Sequence, residues 1–280
     1  MAKIREVYEA ARAKLNSDIP VAALRLLMVE SNNLKNYAEL DHSLGKEQQN
    51  EAVFWHQFES LNKGVPVQYV TNNANFLGDD FHVDSRVLIP RPETEELVEQ
   101  VYRDLLLNYR DEPFSLVDVG TGSGVIAISL AKRFEEATIY ATDIDYDALK
   151  VARFNAMRHE VNVKFFIGDM LKPLIDNNIK VDILVSNPPY VAKLEEVDEN
   201  VYNYEPHLAL EAEDGIEYYK KILKDIDKIF DDKIKLFFEI GSDQEERLTE
   251  IIEQLKYEKK YYFSRDLQGN IRYLFLELTK

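Results

Sequence analysis

Between residues 114 and 280 short apolar runs alternate with segments of helical period. The runs at 115–119, 138–142, 163–167, 182–186 and 234–240 have the length and composition of buried strands. The segments at 125–134, 147–159, 215–230 and 243–255 carry apolar residues at helical spacing. Such alternation predicts an α/β architecture, with right-handed crossovers and a sheet covered on both faces. Near the end, 261–265 and 271–278 flank Gln268-Gly269-Asn270, which reads as a hairpin. The expected sheet is therefore seven-stranded and mostly parallel, with one antiparallel strand in the terminal hairpin.

Ahead of the sheet the period is helical. Ile4, Val7, Tyr8, Ala11 and Leu15 fall at helical spacing, and so do Ala22, Leu24, Leu27 and Met28. Asp18-Ile19-Pro20 has the form of a helix start, and a third helix is expected over 46–61. Asn62-Lys63-Gly64-Val65-Pro66 breaks this pattern, and 68–89 alternates apolar pieces with Asn72-Asn73, Gly78-Asp79 and Asp84-Ser85, suggesting a hairpin. Pro90-Arg91-Pro92-Glu93-Thr94-Glu95 then opens a helix through Leu97, Val98, Val101, Leu105 and Leu106, its acidic first turn favoured by the helix dipole. The expected organisation is a small helical bundle over 1–63, a hairpin linker over 64–90 and an α/β domain over 91–280. The bundle carries no catalytic constellation; partner recognition and a purely structural cap both fit it.

Composition narrows the chemistry. The 280 residues contain no cysteine, which excludes disulfides, a thiolate nucleophile and a Cys-ligated metal. His42, His56, His82, His159 and His207 are scattered without metal-ligand spacing, so no metal is expected. No run has the length of a membrane span, and the start lacks a signal peptide's apolar centre, so a cytoplasmic protein without membrane contact is expected. The net charge of −17 sets up a field that repels nucleic acid and favours a protein or small-molecule substrate.

Four strand ends carry the chemistry. Asp118-Val119-Gly120-Thr121-Gly122-Ser123-Gly124 joins the first strand of the series to its helix. Glycines there permit a tight turn and close approach of backbone to a ligand. The Gly-x-Gly-x-Gly spacing differs from the dinucleotide fingerprint and makes less provision for a pyrophosphate. Asp143 closes the second strand, where a carboxylate accepts bonds from ribose hydroxyls. Asp169 closes the third, placed to meet an adenine edge. For each acid alone a helix cap or solvated strand end is the plainer account; together with the glycine turn they best fit S-adenosylmethionine.

The fourth strand ends in Ser186-Asn187-Pro188-Pro189-Tyr190. The two prolines donate no N–H and fix φ, so the turn is stiff and its carbonyls are free to accept. With the Asn187 side-chain carbonyl they form a cluster of acceptors suited to both hydrogens of a planar –NH2 group. Asn187 Oδ1 and the Pro188 carbonyl would hold an amide or aromatic amine, with Tyr190 as an aromatic wall; core packing also accounts for Tyr190. Glu239, at a strand end, is open between facing the pocket and serving a neighbouring backbone. Methyl transfer to a nitrogen is the expected reaction, with Asn187, Pro188 and Tyr190 as its catalytic residues.

The sequence resembles the bacterial release factor glutamine methyltransferases over nearly its whole length. The resemblance rests on Pro66-Val67-Gln68-Tyr69, Leu88-Ile89-Pro90-Arg91-Pro92-Glu93-Thr94-Glu95, the Gly120 to Gly124 turn, Asn187 to Tyr190, Tyr204-Glu205-Pro206, Asp214-Gly215, and Gly269 with Arg272. It implies a class I S-adenosylmethionine-dependent methyltransferase, Rossmann-like, with an N-terminal domain that helps hold the release factor. The implied reaction methylates the side-chain amide of the glutamine in the Gly-Gly-Gln loop of peptide chain release factors. By motif, Gly120, Thr121, Gly122, Ser123, Gly124, Asp143, Met170 and Asn187 would contact S-adenosylmethionine, while Asn187, Pro188, Pro189 and Tyr190 would hold the glutamine. Two departures stand out: Glu211-Ala212-Glu213 where relatives often carry paired glycines, and Asn72-Asn73 where a glycine is common. The Asn-Pro-Pro-Tyr motif also occurs in methyltransferases of adenine in DNA and guanine in ribosomal RNA, so a nucleic-acid amine is the alternative substrate. A third alternative is a non-catalytic S-adenosylmethionine-binding protein. A monomer without direct nucleic-acid contact is expected.

Overall fold

The apolar run before Asn187 lies where its composition requires: in a computed structural model of the chain, Ile183–Ser186 is a strand with every residue buried. The structure describes residues 2–109, 112–192 and 198–280. The elements in chain order are α1 (Ile4–Lys14), α2 (Val21–Ser31), α3 (Tyr37–Ser43), α4 (Glu51–Asn62), α5 (Val67–Thr71), β1 (Ala74–Phe76), β2 (Asp79–Phe81) and α6 (Pro92–Asn108). There follow β3 (Ser115–Val119), α7 (Val125–Arg133), β4 (Thr138–Asp143), α8 (Tyr146–Arg158), β5 (Val163–Ile167), α9 (Lys172–Asp176) and β6 (Ile183–Ser186). The chain ends with α10 (Glu199–Tyr204), α11 (Glu217–Asp225), β7 (Lys233–Glu239), α12 (Glu245–Glu253), β8 (Glu258–Arg265) and β9 (Ile271–Thr279).

Contacts divide the chain into two units. The first comprises Met1–Asn73, Val83–Ser85 and Asp198–Tyr204. Its core gathers Ile4, Val7, Leu24, Leu27, Phe54 and Phe58 from α1, α2 and α4. The expected helix over 46–61 is shorter, because Asn50 adopts a left-handed conformation (φ 45°) and α4 starts after it. Asn36, whose side chain accepts the Glu39 N–H, caps the additional helix α3. Asn72 sits at φ 52°, the conformation a glycine would otherwise supply.

The second unit comprises Ala74–His82, Arg86–Val197 and Glu205–Lys280. Its sheet has the order β5-β4-β3-β6-β7-β9-β8. Strands β3 to β7 pair in parallel, while β9 runs antiparallel to both β7 and β8. The alternation of side chains along each strand feeds two cores. Ile183 and Val185 face one layer with Leu97, Val101 and Ile126, and Leu184 faces the other with Tyr219, Ile222 and Leu248. The expected helix over 215–230 ends early, at Asp225, and continues as a 3₁₀ turn over Ile226–Lys228. The strand order reverses between β3 and β6, which opens a crevice at their carboxyl ends. The glycine turn and Asn187 occupy the two sides of that crevice.

A small antiparallel pair, β1 and β2, precedes the sheet, joined by Leu77 and Gly78 at φ 52° and 84°. Two positive φ values mark a type I′ turn, which matches the twist of the flanking strands. Leucine is strained there, and its N–H is held by Glu95 Oε1 at 2.9 Å. Just beyond β2, Asn155 from α8 replaces a missing strand partner: its Oδ1 accepts His82 N–H at 2.8 Å and its Nδ2 donates to His82 O and Ser123 O. Asn155 is fully buried. Asn155→Ala removes all three bonds, and a loss of about 2–3 kcal/mol in unfolding free energy is expected, measured by urea denaturation.

Candidate active site

Hydrogen bonds lace the carboxyl ends of four parallel strands into one rim. Ser186 Oγ donates to Val119 O at 2.6 Å, joining β6 to β3. Gly120 N and Thr121 N both donate to Thr142 O, joining β3 to β4. Gly168 N donates to Asp143 O at 2.9 Å and Thr142 Oγ1 to Met170 O at 3.2 Å, joining β4 to the end of β5. Asp143 is fixed as well, since its two carboxylate oxygens accept Gly122 N–H at 2.8 Å and Asp145 N–H at 2.9 Å. Burial raises its pKa, against the opposing pull of these N–H donors.

The three glycines of the turn all have positive φ, at 75°, 55° and 86°, but they do different work. A Cβ on Gly120 or Gly122 would meet nothing within 4 Å. On Gly124 it would lie 2.8 Å from Ile128 Cδ1 and 3.2 Å from Ala152 Cβ. Gly124 serves packing, whereas Gly120 and Gly122 border open space that a ligand can enter.

That space is a cleft of about 170 Å³. Of the residues singled out by sequence, Gly120, Gly122, Asp143, Asp169, Met170, Asn187 and Pro189 line it together. Thr121 and Ser123 are buried, with Thr121 Oγ1 on Asp118 Oδ2 and Ser123 O on Asn155. Pro188 is buried, and Tyr190 turns its hydroxyl toward Glu239 Oε1 at 3.1 Å. The cleft walls include the half-exposed apolar side chains of Ile144 and Leu208. Carboxylates for hydroxyl and amine groups, apolar walls for a flat base and glycine backbone open to close approach fit S-adenosylmethionine.

Asn187 does not stand alone. Its Nδ2 donates to Thr94 Oγ1 at 3.0 Å, and Thr94 Oγ1 donates to Glu239 Oε2 at 2.7 Å. Glu239 is therefore a buried carboxylate that accepts from Thr94 and Tyr190, one on each oxygen. Burial pushes its pKa up to about 7, with the two hydroxyl donors pulling the other way. The Tyr190 phenol is also raised, by burial and by the Glu239 charge, so it remains the donor. Tyr219 O–H donates to the Glu239 carbonyl at 2.7 Å.

Two further ties hold this end of the cleft. Gln244 Nε2 donates to Tyr190 O and Gly215 O, while its Oε1 accepts Gly241 N–H. Buried Glu205 accepts Ile89 N–H at 3.1 Å and pairs with Arg91 at 2.5 Å. It thereby ties together the segments that carry Val87 and Leu88 and Pro206, Leu208 and Ala209, all of which line the cleft.

Comparison with known proteins places this geometry. The family model "Methyltransferase small domain" matches residues 103–204. The release factor glutamine methyltransferase of Staphylococcus aureus is 39% identical over 212 residues, covering 75% of this chain and 74% of its own length. That of Bacillus subtilis is 42% identical over 207 residues, 71% of this chain and 70% of its own. The chain belongs to the release factor glutamine methyltransferase family. Among solved structures, a methyltransferase from Pyrococcus furiosus superposes with a TM-score of 0.51 at 20% identity, over 72% of this chain and 89% of that one, which supports the class I methyltransferase fold.

Within this family frame, Thr94, Glu205 and Gln244 are the site residues that sequence reasoning did not single out for the cleft. Apart from Gly241, three positions before Gln244, their partners lie between 29 and 145 positions away, and no local pattern reports those. The run Ile89-Pro90-Arg91-Pro92-Glu93-Thr94-Glu95 is more selective for the family than Asn-Pro-Pro-Tyr, and the structure gives its polar members and the adjoining Glu96 separate tasks. Thr94 reaches Glu239, Glu95 holds the Leu77 N–H, and Glu96 accepts from Leu267 N and Tyr273 O–H.

Asp118 at the start of the glycine turn is fully buried; Oδ2 accepts from Thr121 and Ala127 N, and Oδ1 has no partner among the described residues. Burial pushes its pKa up to about 7, chiefly by desolvation. The folded state then keeps a proton that an unfolded aspartate releases near about pH 3.9, so stability falls as pH rises from about 4 to 7. Asp118→Asn keeps an acceptor for both donors and removes that proton. Its unfolding midpoint is expected to decline less than wild type's between about pH 5 and about pH 8; parallel profiles would contradict this account.

Proposed function

We propose that this protein transfers a methyl group from S-adenosylmethionine to the side-chain amide nitrogen of the glutamine in the Gly-Gly-Gln motif of peptide chain release factors. The observation that carries the reading is the Asn187 carboxamide. It lines the cleft beside the glycine turn, with Nδ2 engaged by Thr94 and no partner on Oδ1 among the described residues. Family membership supplies the substrate.

The residues that would hold the cofactor are Gly120 and Gly122 through their open backbone, Asp143 toward ribose hydroxyls, and Asp169 and Met170 toward the base. When bound, S-adenosylmethionine supplies a methyl carbon made electrophilic by the adjoining sulfonium. The protein must compensate for a weak nucleophile, because an amide nitrogen delocalises its lone pair. Asn187 Oδ1 and the Pro188 carbonyl would accept the two amide hydrogens, keep electron density on nitrogen and fix the amide plane. Orientation of this kind supplies up to about 7–11 kcal/mol in well-aligned systems. No general base is needed beforehand, since the proton displaced from nitrogen passes to water. Glu239 has both oxygens engaged and is not placed to take it.

The same reading makes the helical segment 1–63 the part that helps hold the release factor, and the protein a cytoplasmic monomer acting without direct nucleic-acid contact. The net charge of −17 supports a protein substrate over a polynucleotide. No helix among the described residues is long and apolar enough to cross a membrane.

Mass spectrometry of a release factor incubated with this protein and S-adenosylmethionine tests the assignment. One added methyl on the Gly-Gly-Gln glutamine is expected, with the rate reduced about 10²–10³-fold in Asn187→Ala while the unfolding midpoint holds, by analogy with loss of one preorganised polar group. An unmodified glutamine, with label instead on ribosomal RNA or DNA, would reject the protein substrate.

A further inference from the structure

We propose that Thr94 and Glu239 are positioning residues for this reaction, holding the Asn187 carboxamide so that Nδ2 is turned into the protein and Oδ1 is left as the acceptor for the substrate amide. The inference rests on the function proposed above and assigns a task to two residues that lie outside the glycine turn and the Asn-Pro-Pro-Tyr motif.

A carboxamide rotated by half a turn has almost the same shape and the opposite polarity. It would then present two N–H donors to a substrate –NH2, where acceptors are required. Shape cannot select between the two orientations; hydrogen bonding must.

The selection runs outward from Glu239. Its Oε1 accepts from Tyr190, which retains its proton, and its Oε2 accepts from Thr94 at 2.7 Å. A hydroxyl carries a single hydrogen. With Glu239 ionised and that hydrogen donated to it, Thr94 Oγ1 can only accept from a third group, and the group 3.0 Å away is the Asn187 carboxamide. That neighbour must therefore be Nδ2, because the reversed amide would set oxygen lone pairs against each other at the same distance. Oδ1 is left as the acceptor at the cleft.

The supports of this chain are rigid. Thr94 is 4% exposed and sits in the first turn of α6, whose φ is preset by Pro92 at the first helical position. Glu239 is 1% exposed and ends β7, with its carbonyl held by Tyr219. Tyr190 is fixed from behind by Gln244. Water competes poorly for groups buried this far, so the order of donors persists.

The test compares wild type with Thr94→Val, which keeps the shape and removes the hydroxyl, and Thr94→Ser, which restores it. With a release factor as methyl acceptor, Thr94→Val is expected to lower kcat about 10–100-fold. KM for the release factor and the affinity for S-adenosylmethionine should stay within about twofold of wild type, and Thr94→Ser should recover most of kcat. A second readout does not depend on turnover: the Asn187 side-chain NH2 resonances, slow to exchange with solvent in wild type and Thr94→Ser, should exchange faster in Thr94→Val. Thr94→Ala, which introduces no bulk, replaces the valine variant if that one unfolds.

Wild-type kcat in Thr94→Val, an equal loss in Thr94→Ser, or an unchanged Asn187 amide would each overturn the positioning role. If wild type itself leaves the release factor unmethylated, the proposed function fails, and the amide resonances still decide the orientation of Asn187.

Discussion

The buried carboxylate of Glu239 is the constraint on which the Asn187 side of the cleft depends. Three segments far apart in sequence, the start of α6, the turn after β6 and the end of β7, meet at its two oxygens. An acid so deeply buried is stable only when its lone pairs are satisfied, so each donor must hold its place for the others to hold theirs. Unlike a hydrophobic contact, which tolerates sliding, this arrangement fixes direction. It converts the packing of a helix against a sheet into the polarity of one side chain at the cleft.

The glycine-turn side is built on a different principle. There the strand ends are joined by backbone donors and short hydroxyls, and the glycines leave room rather than supply groups. The reversal of strand order between β3 and β6 keeps the helices that follow these strands from closing over the same edge. Ser186 Oγ on Val119 O spans that reversal at the strand ends, between the strand that leads into the glycine turn and the one that leads into Asn187. One side therefore offers space and the other direction, and a methyl donor and a planar amide need those two things respectively.

Much of this was legible in the sequence, for physical reasons. Buried parallel strands leave unbroken apolar runs, and a backbone that must approach a ligand leaves glycines, so β3, β6 and the Gly120 to Gly124 turn could be read directly. The place of Asp143 at the end of β4 was readable because it is local to the strand. Short elements such as α5 and α9 were not, since five residues show no helical period. Nor could spacing distinguish the packing role of Gly124 from the open faces of Gly120 and Gly122. Thr94 looked like part of a helix start, and Glu239 was open between two roles. Their meaning lies in a contact spanning 145 positions, which no pattern along the chain encodes.

The Pro-Glu-Thr-Glu run shows why a motif remote from the reaction can identify a family better than the reacting residues do. An acceptor pair for an –NH2 group serves adenine, guanine and glutamine alike, so Asn-Pro-Pro-Tyr leaves the substrate open. A joint is more particular. Glu95 offsets a leucine held at positive φ, Thr94 relays a hydrogen bond to Asn187, and Glu96 ties α6 to β9 and to the loop before it. Each task depends on the length of its side chain at its own step near the start of α6. A shorter acid at 95 would not reach the Leu77 N–H, and a residue without a hydroxyl at 94 would break the relay. The selectivity of the run follows from the number of distant partners it must meet at once.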